Sequence, residues 1–297
     1  MKVVVADNFE AGALKLLEAT GAQIVHKPES LEAELADAKM LVVRSATRVT
    51  EELLSIAPNL KVVARAGVGL DNVDQDACKK RGIEVMNTPS ASTNAVAEFA
   101  LALILGASRN VPRAHHSMKQ GKWEKKVLAG SEVEGRTLGI IGCGRIGSLL
   151  AEKARALGME VLGYNPPPRH DSPHIKYVEL DELFGSSDII SLHVPSTPET
   201  NGMINKGTIS KMKDGAILIN TARGSIVEED ALYGACKSGK IRAAALDVFP
   251  SEPYSGKLLE LENVFCTPHI AASTAQAQER IGELIAQKIS SLMSCGE

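Results

Sequence analysis

Polar residues follow three apolar runs in the second half of the chain, and their types suit hydride transfer from a 2-hydroxy acid. Arg223 follows AILIN, Asp247 and Glu252 lie at the end of AALDV and just beyond it, and His269 follows VFC. An arginine can clamp a carboxylate, a histidine can remove a hydroxyl proton, and a glutamate can orient the histidine ring. A lone histidine or glutamate is usually a surface residue. Because open α/β sheets bind ligands at the carboxyl ends of their strands, the three positions together favour a catalytic site.

A glycine-rich turn predicts a dinucleotide site. Residues 138–147 read LGIIGCGRIG, with Gly142, Gly144 and Gly147 between an apolar strand and a helix pattern, and the strand MEVLGY follows. In such a turn the first glycine allows the sharp bend, the second lets the backbone approach the phosphates, and the third lets the helix pack on the strand. The first helical N–H groups then bind the pyrophosphate. The glycines alone are weak evidence, and the strand–helix–strand context is what favours a dinucleotide.

The length and composition of the chain restrict its domain number, its partners and the kinds of site it can contain. A chain of 297 residues exceeds a usual single core and predicts two α/β domains. The near balance of 33 basic and 36 acidic residues argues against nucleic acid or an anionic membrane as partner. Five scattered cysteines without C-x-x-C spacing argue against disulfides and a metal site. The apolar stretch at the N-terminus is too short for a signal peptide, so we expect a cytoplasmic location.

Short β-branched runs alternate with helical stretches along the chain, which predicts parallel sheets with helical crossovers. One series of runs ends near residue 86 and a second begins at residue 138. We expect two doubly wound parallel-sheet domains: a flavodoxin-like substrate domain over 1–90 and a Rossmann domain over 91–273, with the active site in the cleft between them. The helical pattern over 274–297 has no strand of its own to pack against. We therefore expect this helix to cross back and pack on the first domain.

Ordered motifs along nearly the whole chain resemble those of the D-isomer-specific 2-hydroxyacid dehydrogenases. Beside the glycine fingerprint, the motifs are ARAGVGLDNVD at 64–74, NTPSASTNAVAE at 87–98, N-x-A-R-G at 220–224, D-V-F-x-x-E-P at 247–253 and T-P-H at 267–269. The resemblance implies an NAD-dependent oxidoreductase whose catalytic residues are Arg223, Glu252 and His269.

The same resemblance implies the residues that bind the cofactor and the substrate. The expected NAD contacts lie in the glycine-rich turn and after strands of the second domain: Gly142, Gly144, Arg145, Ile146, Gly147, Asn165, Val194, Pro195, Thr200, Thr221, Asp247, His269 and Ala271. The expected substrate contacts are Arg44, Arg65, Val68, Gly69, Arg223 and His269. Backbone N–H groups from Gly67 to Gly69 would hold the substrate carboxylate, and Asp247 would lie near the nicotinamide.

Two arginines favour a phosphorylated substrate. Arg44 and Arg65 each close an apolar strand of the first domain, where they would face the interdomain cleft. A phosphorylated three-carbon acid carries two anions and needs cations beyond the arginine that binds its carboxylate. Together with VVRSAT at 42–47 and GKWE, this favours the family members that oxidise D-3-phosphoglycerate to 3-phosphohydroxypyruvate, the first step of phosphorylated serine biosynthesis. Two alternatives stay open: reduction of glyoxylate or hydroxypyruvate, and a non-enzymatic, NAD-sensing corepressor.

Three further expectations follow from comparison with the family pattern. Asn165 stands where family enzymes usually have an aspartate for the adenosine ribose, and Arg169 is nearby, so NADP stays an alternative to NAD. The chain ends where some relatives continue into regulatory domains, which predicts a short form without serine feedback. The apolar helix over 95–107 and the loop to Trp123 resemble a dimer-forming arm, which predicts a homodimer.

Overall fold

The computed structural model describes residues 1–167 and 171–294, and the chain divides into two compact units. The first unit contains Met1–Ser92 and the C-terminal segment that begins at Ser273, and the second contains Thr93–Ala272. Arg169, noted above beside Asn165, lies outside the described residues.

The first unit is built on a five-stranded parallel sheet in the order β2-β1-β3-β4-β5. Its strands are β1 (Lys2–Val5), β2 (Gln23–His26), β3 (Met40–Val43), β4 (Val62–Arg65) and β5 (Glu84–Asn87). The connecting helices are α1 (Ala11–Glu18), α2 (Leu31–Leu35), α3 (Glu51–Ser55) and α4 (Gln75–Lys80). This strand order is that of flavodoxin-like doubly wound sheets.

The C-terminal helix, Ala275–Ser294, completes the core of the first unit. Its residues Ile281, Ile285 and Ile289 recur every four positions and therefore share one helical face. All three are buried in the same cluster as Val3 of β1 and Leu17 of α1. One face of the sheet is thus covered by helices from both ends of the sequence.

The second unit is built on a seven-stranded parallel sheet in the order β12-β11-β10-β9-β6-β7-β8. Its strands are β6 (Thr137–Ile141), β7 (Glu160–Tyr164), β8 (Lys176–Tyr177), β9 (Ile189–Leu192), β10 (Ala216–Asn220), β11 (Ile241–Leu246) and β12 (Val264–Cys266). Its helices are α5 (Thr93–Ser108), α6 (Val111–Lys119), α7 (Arg145–Ala156), α8 (Leu180–Ser186), α9 (Lys206–Lys211) and α10 (Glu229–Ser238). The strand order reverses between β6 and β9, which is where doubly wound sheets bind their ligands.

The prediction of two doubly wound parallel sheets is confirmed. Strands such as β10 are buried at every residue, because helices cover both faces of a parallel sheet, and their sequences are therefore continuous apolar runs. The edge strand β8 was not predicted, since two residues are too few to show a pattern. No single described helix is long and apolar enough to cross a membrane, although α5 and α6 pass that test together as a pair bent by 64°.

Candidate active site

The glycine-rich turn joins β6 to α7 at the reversal point of the second sheet. Gly142 has a φ of 99°, and a Cβ atom there would lie 2.6 Å from the carbonyl carbon of His193. Both features require glycine. A Cβ atom at Gly147 would collide with the carbonyl oxygen of Gly142, so this glycine lets α7 start close against the turn.

Gly144 presents an open face at the start of α7. It is the N-cap residue, and apart from its neighbours in the chain no described atom comes within 4 Å of the position that its Cβ would take. Arg145, Ile146 and Gly147 form the first helical turn, where backbone N–H groups have no acceptor within the helix. This combination of an accessible backbone and unused donors is suited to a phosphate group.

The end of β7 adjoins the glycine-rich turn. The Gly142 N–H donates to the carbonyl oxygen of Tyr164 at 2.9 Å, and the half-buried Asn165 comes next in the chain. The Asn165 side chain donates from Nδ2 to the carbonyl oxygen of Pro166 at 3.3 Å. Asn165 therefore lies beside the turn, and its contact with the adenosine ribose stays a prediction.

The loop after β9 forms a second wall beside the turn. Val194 is buried, and the Thr200 hydroxyl donates to the carbonyl oxygen of Pro195 at 2.6 Å while it accepts from the N–H of Thr197 at 2.8 Å. These bonds close the loop on itself. The backbone nitrogen of Val194 also lies close to Gly142. The predicted cofactor contacts Val194, Pro195 and Thr200 therefore lie in the loop beside the glycine-rich turn.

His193, at the end of β9, was missed in the sequence analysis. Burial lowers its pKa to about 4, so the imidazole is neutral near pH 7. Its Nε2 lies 2.9 Å from the hydroxyl oxygen of Ser191 in β9. The available signal was its position, a polar residue directly after a buried strand.

Arg223 is held by a turn that Asn220 organises. The Asn220 side chain accepts from the N–H of Ala222 at 3.0 Å and donates to the carbonyl oxygen of Arg223 at 2.9 Å. The Arg223 guanidinium donates from Nη1 to the Ala222 carbonyl oxygen at 2.6 Å. Gly224 has no room for a side chain, because a Cβ atom would collide with the backbone of Phe249. The N-x-A-R-G motif thus encodes this turn.

Thr221 lies in the same turn and carries a buried hydroxyl. Its side-chain oxygen has no hydrogen-bond partner among the described residues. Buried polar atoms are nearly always paired, so an orphaned hydroxyl at the carboxyl end of β10 fits a group that contacts a bound ligand.

Asp247 fixes the loop that carries His269. Its fully buried carboxylate accepts through Oδ1 from the Thr267 hydroxyl at 2.5 Å and from the Ile270 N–H at 2.9 Å, and through Oδ2 from the Ala271 N–H at 2.8 Å. The family resemblance implies that Asp247 and Ala271 contact the cofactor. The structure gives Asp247 a positioning contact with this loop.

His269 and Glu252, the histidine and the glutamate that the sequence predicts to act together, are hydrogen-bonded to each other. The His269 Nδ1 lies 2.8 Å from Glu252 Oε2, and Glu252 Oε1 accepts from the Phe249 N–H at 3.1 Å. His269 has a φ of 53°, an uncommon conformation for a residue other than glycine. With Glu252 ionised, Nδ1 carries the proton, and Nε2 is the nitrogen that can act as a base.

In the first unit, Arg44 and Arg65 lie at the carboxyl ends of neighbouring strands. Arg65 is the last residue of β4 and pairs in register with Val43, the last residue of β3. Arg44 follows directly and donates from Nη1 to the carbonyl oxygen of Asn8 at 3.3 Å. The two guanidinium groups therefore belong to one edge of this sheet.

Asp7 and Asn72 hold the loop that begins at Arg44, and neither was identified from the sequence. The Asp7 carboxylate accepts from the backbone N–H of Arg44 and from the hydroxyl of Thr47, both at 2.5 Å. The Asn72 side chain donates to the carbonyl oxygens of Arg44 at 2.7 Å and Thr47 at 2.6 Å. Asp7 lies two residues after the end of β1, so its position close to a strand end was a usable signal.

The turn after β4 limits which backbone donors are available. The Gly67 N–H donates to the carbonyl oxygen of Arg65 at 2.8 Å, and a Cβ atom at Gly67 would collide with the Arg65 guanidinium. In this conformation the Gly67 N–H is already hydrogen-bonded within the turn and cannot donate to a substrate carboxylate. Val68 and Gly69, the two substrate contacts expected next to it, are both half-buried.

Comparison with known proteins identifies close relatives. Residues 101–271 match the model of the D-isomer specific 2-hydroxyacid dehydrogenase, NAD binding domain. The chain is 52% identical to a hydroxypyruvate reductase of Thermotoga maritima over 86% of this chain and 85% of that protein. It is 47% identical to a D-3-phosphoglycerate dehydrogenase of Archaeoglobus fulgidus over 97% of this chain and 56% of that protein, so it spans about half the length of that relative.

Among solved structures, a D-lactate dehydrogenase of Aquifex aeolicus in complex with NAD and lactic acid superposes with a TM-score of 0.88. It is 36% identical, and the match covers 99% of this chain and 96% of that chain.

Proposed function

The chain belongs to the D-isomer specific 2-hydroxyacid dehydrogenase family, and on this basis we propose that it oxidises D-3-phosphoglycerate to 3-phosphohydroxypyruvate. The family membership and the expectation of an NAD-dependent dehydrogenase are confirmed by these matches. The observation that carries the choice of substrate is the pair Arg44 and Arg65 at adjacent strand ends. In the cell the reaction would be the first step of phosphorylated serine biosynthesis, in the cytoplasm.

The residues around the glycine-rich turn fit a dinucleotide. The open face at Gly144, the N-terminal turn of α7 and the orphaned Thr221 hydroxyl are features that a bound ligand would complete. The turn would hold the pyrophosphate and Asn165 the adenosine ribose. When bound, NAD supplies the acceptor for the hydride from C2 of the substrate.

Proton transfer would be the task of His269. Its Nε2 accepts the C2 hydroxyl proton of the substrate as the C–H bond breaks. The positive charge that develops on the imidazole is stabilised by the Glu252 carboxylate at Nδ1. Glu252 is itself oriented by the Phe249 N–H. The Asp247 carboxylate holds the loop on both sides of His269, through the Thr267 hydroxyl and the Ile270 N–H.

Substrate binding would use three arginines. Arg223 holds the carboxylate and polarises the C2 oxygen through the planar fork of its guanidinium. Arg44 and Arg65 bind the phosphate, assisted by the loop that Asp7 and Asn72 fix. Hydrogen bonds to charged groups contribute about 1.5–3 kcal/mol each, enough to favour a phosphorylated over an unphosphorylated acid by tenfold or more.

A second candidate is the reduction of hydroxypyruvate or glyoxylate, which is favoured by the 52% identity to a hydroxypyruvate reductase. Both candidates use the same catalytic residues and differ only in the need for a phosphate site. The named relatives are dehydrogenases and reductases, so the non-enzymatic alternative is set aside.

The deciding experiment follows NADH consumption by the purified chain with 3-phosphohydroxypyruvate, hydroxypyruvate and glyoxylate side by side. We expect kcat/KM for the phosphorylated acid to exceed that for hydroxypyruvate by at least about tenfold. Equal or better use of hydroxypyruvate or glyoxylate would select the second candidate. NADH and NADPH are compared in the same assay, which tests the consequence of Asn165.

We also propose that the protein is a homodimer formed through the arm that starts with α5. The arm exposes large apolar side chains, with Trp123 79% and Val127 63% exposed. Exposed apolar groups in one segment mark an interaction surface. Light scattering at micromolar concentration should give twice the mass of the chain, and a monomer mass would contradict this assembly.

A further inference from the structure

A cavity of about 270 Å³ lies at the amino ends of the strands in the second unit. Strands β6, β9, β10 and β11 all begin beside it, whereas the candidate active site lies at their carboxyl ends. Its polar lining includes Ser108, Ser131, Arg136, Asp188, Lys213 and Arg242. The reaction proposed above uses none of these residues.

Arg242 is a half-buried cation of this cavity. Its Nη2 donates to the Ser131 hydroxyl oxygen at 3.2 Å, and among the described residues it forms no ion pair with a carboxylate. Burial lowers the pKa of Arg242, and the nearby Arg136 lowers it further. A charge removed from water without a counter-ion is costly, so Arg242 lacks the partner that such a group normally has.

The acidic residues near the cavity are engaged elsewhere or exposed. Asp188 pairs with Arg136 at 3.5 Å and with Lys213 at 3.2 Å, and it accepts from the backbone N–H of Thr137 at 2.9 Å. Asp214 pairs with Lys240 at 2.7 Å. Glu132 is exposed to solvent at the rim. These carboxylates leave the positive charge of Arg242 uncompensated.

Ser108 adds a donor that lacks a hydrogen-bond partner. It is 1% exposed, and its hydroxyl has no hydrogen-bond partner in the described part of the chain. Its backbone carbonyl accepts from the Ser131 N–H at 2.9 Å, which ties the end of α5 to the segment beneath Arg242. A buried hydroxyl without a hydrogen-bond partner and a half-buried guanidinium without a counter-ion thus line one cavity.

We propose that this cavity binds a small oxyanion, of the size of phosphate or a short phosphorylated or carboxylated metabolite. Oxyanion oxygens accept from the Arg242 guanidinium and the Ser108 hydroxyl, and the anion supplies the missing negative charge. The site is separate from the catalytic end of the sheet, so its occupancy does not depend on the substrate that the enzyme takes.

The test titrates inorganic phosphate against the NAD-loaded protein at constant ionic strength, with chloride as the replaced anion, and follows the thermal midpoint Tm. The titration uses an Arg44→Ala, Arg65→Ala background, which removes the phosphate site proposed for the substrate. At ten times the half-saturating concentration, we expect Tm to rise by about 3 °C. Arg242→Met should abolish the rise. Arg155→Met, which removes an exposed cation from the last turn of α7, should retain it.

A second comparison separates binding from a structural role of Arg242. Without phosphate, Arg242→Met should melt no lower than the background protein, because it removes an uncompensated charge. Ser108→Ala should raise the half-saturating phosphate concentration severalfold while leaving Tm in chloride unchanged. The proposal is overturned if the background protein shows no phosphate response or Arg242→Met responds equally. The proposal is also overturned if Arg242→Met has a lower Tm in chloride than the background protein, since Arg242 would then stabilise the fold. A change in the mass measured in solution would overturn it as well, because a second copy of the chain would then supply the counter-ion.

Discussion

The carboxylate of Asp7 holds the backbone of Arg44, with Oδ2 2.5 Å from the Arg44 nitrogen. Asn72 binds the carbonyl oxygen of the same residue from the other side at 2.7 Å. The conformation of Arg44 is therefore set by residues from two distant parts of the sequence. This relationship predicts that Asp7 affects recognition of the phosphate without touching it.

Asp7→Ala should raise KM for 3-phosphohydroxypyruvate severalfold more than KM for hydroxypyruvate. The substitution leaves the N–H groups of Arg44 and Thr47 without their acceptor, so the loop loses its fixed conformation. Steady-state kinetics with both substrates measure the ratio. Asp37→Ala, which removes an exposed aspartate of the same unit, serves as the control. An equal change for both substrates would assign Asp7 to stability alone.

Replacing Arg44 or Arg65 with alanine should raise KM for the phosphorylated acid about tenfold more than for hydroxypyruvate. Only the phosphorylated substrate has a second anion to lose. The exposed Arg48, close by in the same loop, provides a matched control as Arg48→Ala. Equal losses for both substrates would mean that these arginines serve the fold or the carboxylate, and the reductase alternative would then take precedence.

Arg223→Lys should reduce turnover strongly and leave the affinity for NADH unchanged. An ammonium group cannot reproduce the planar fork that holds a carboxylate and the adjoining oxygen. The comparison needs kcat from steady-state rates and the NADH Kd from fluorescence titration. Undiminished turnover with the preferred substrate would contradict the role assigned to Arg223.

His269→Ala should lower kcat by about a hundredfold or more, because it removes the general base. Glu252→Gln should lower kcat less than His269→Ala does, because the amide still contacts Nδ1 but no longer carries the negative charge 2.8 Å from it. A Glu252→Gln variant with unchanged kcat would refute the functional pairing.

His193 should make the apo protein less stable as the pH falls. Burial lowers its pKa to about 4 in the folded state, whereas an unfolded histidine titrates near 6.5. Between these values the unfolded chain binds a proton that the folded chain does not, so the free energy of unfolding falls with decreasing pH, by at most about 1.4 kcal/mol per pH unit. Urea unfolding at pH 7 and pH 5 should show a smaller drop for His193→Gln. An equal drop would exclude His193 as the cause.

The sequence predicted the strands well because a parallel sheet covered on both faces leaves continuous apolar runs such as AILIN. It also predicted that Glu252 and His269 would meet, since both follow strands that end at one edge of the sheet. It did not reveal that the oxygens of Asp247 bind the His269 loop or that the Gly67 N–H is used within its own turn. Such hydrogen bonds depend on how loops that follow different strands pack together. The apolar patterns and short motifs of a sequence describe only neighbouring residues, so they do not predict these bonds.

The covering of β1 by the C-terminal helix has a consequence for biosynthesis. On the ribosome, the second unit emerges as one uninterrupted segment and can close its sheet as soon as β12 appears. The first unit, although synthesised earlier, must wait for Ile281, Ile285 and Ile289 before its apolar surface is shielded. We therefore expect the nascent chain to expose Met1–Ser92 to chaperones while Thr93–Ala272 is already compact, an order of maturation opposite to the order of translation.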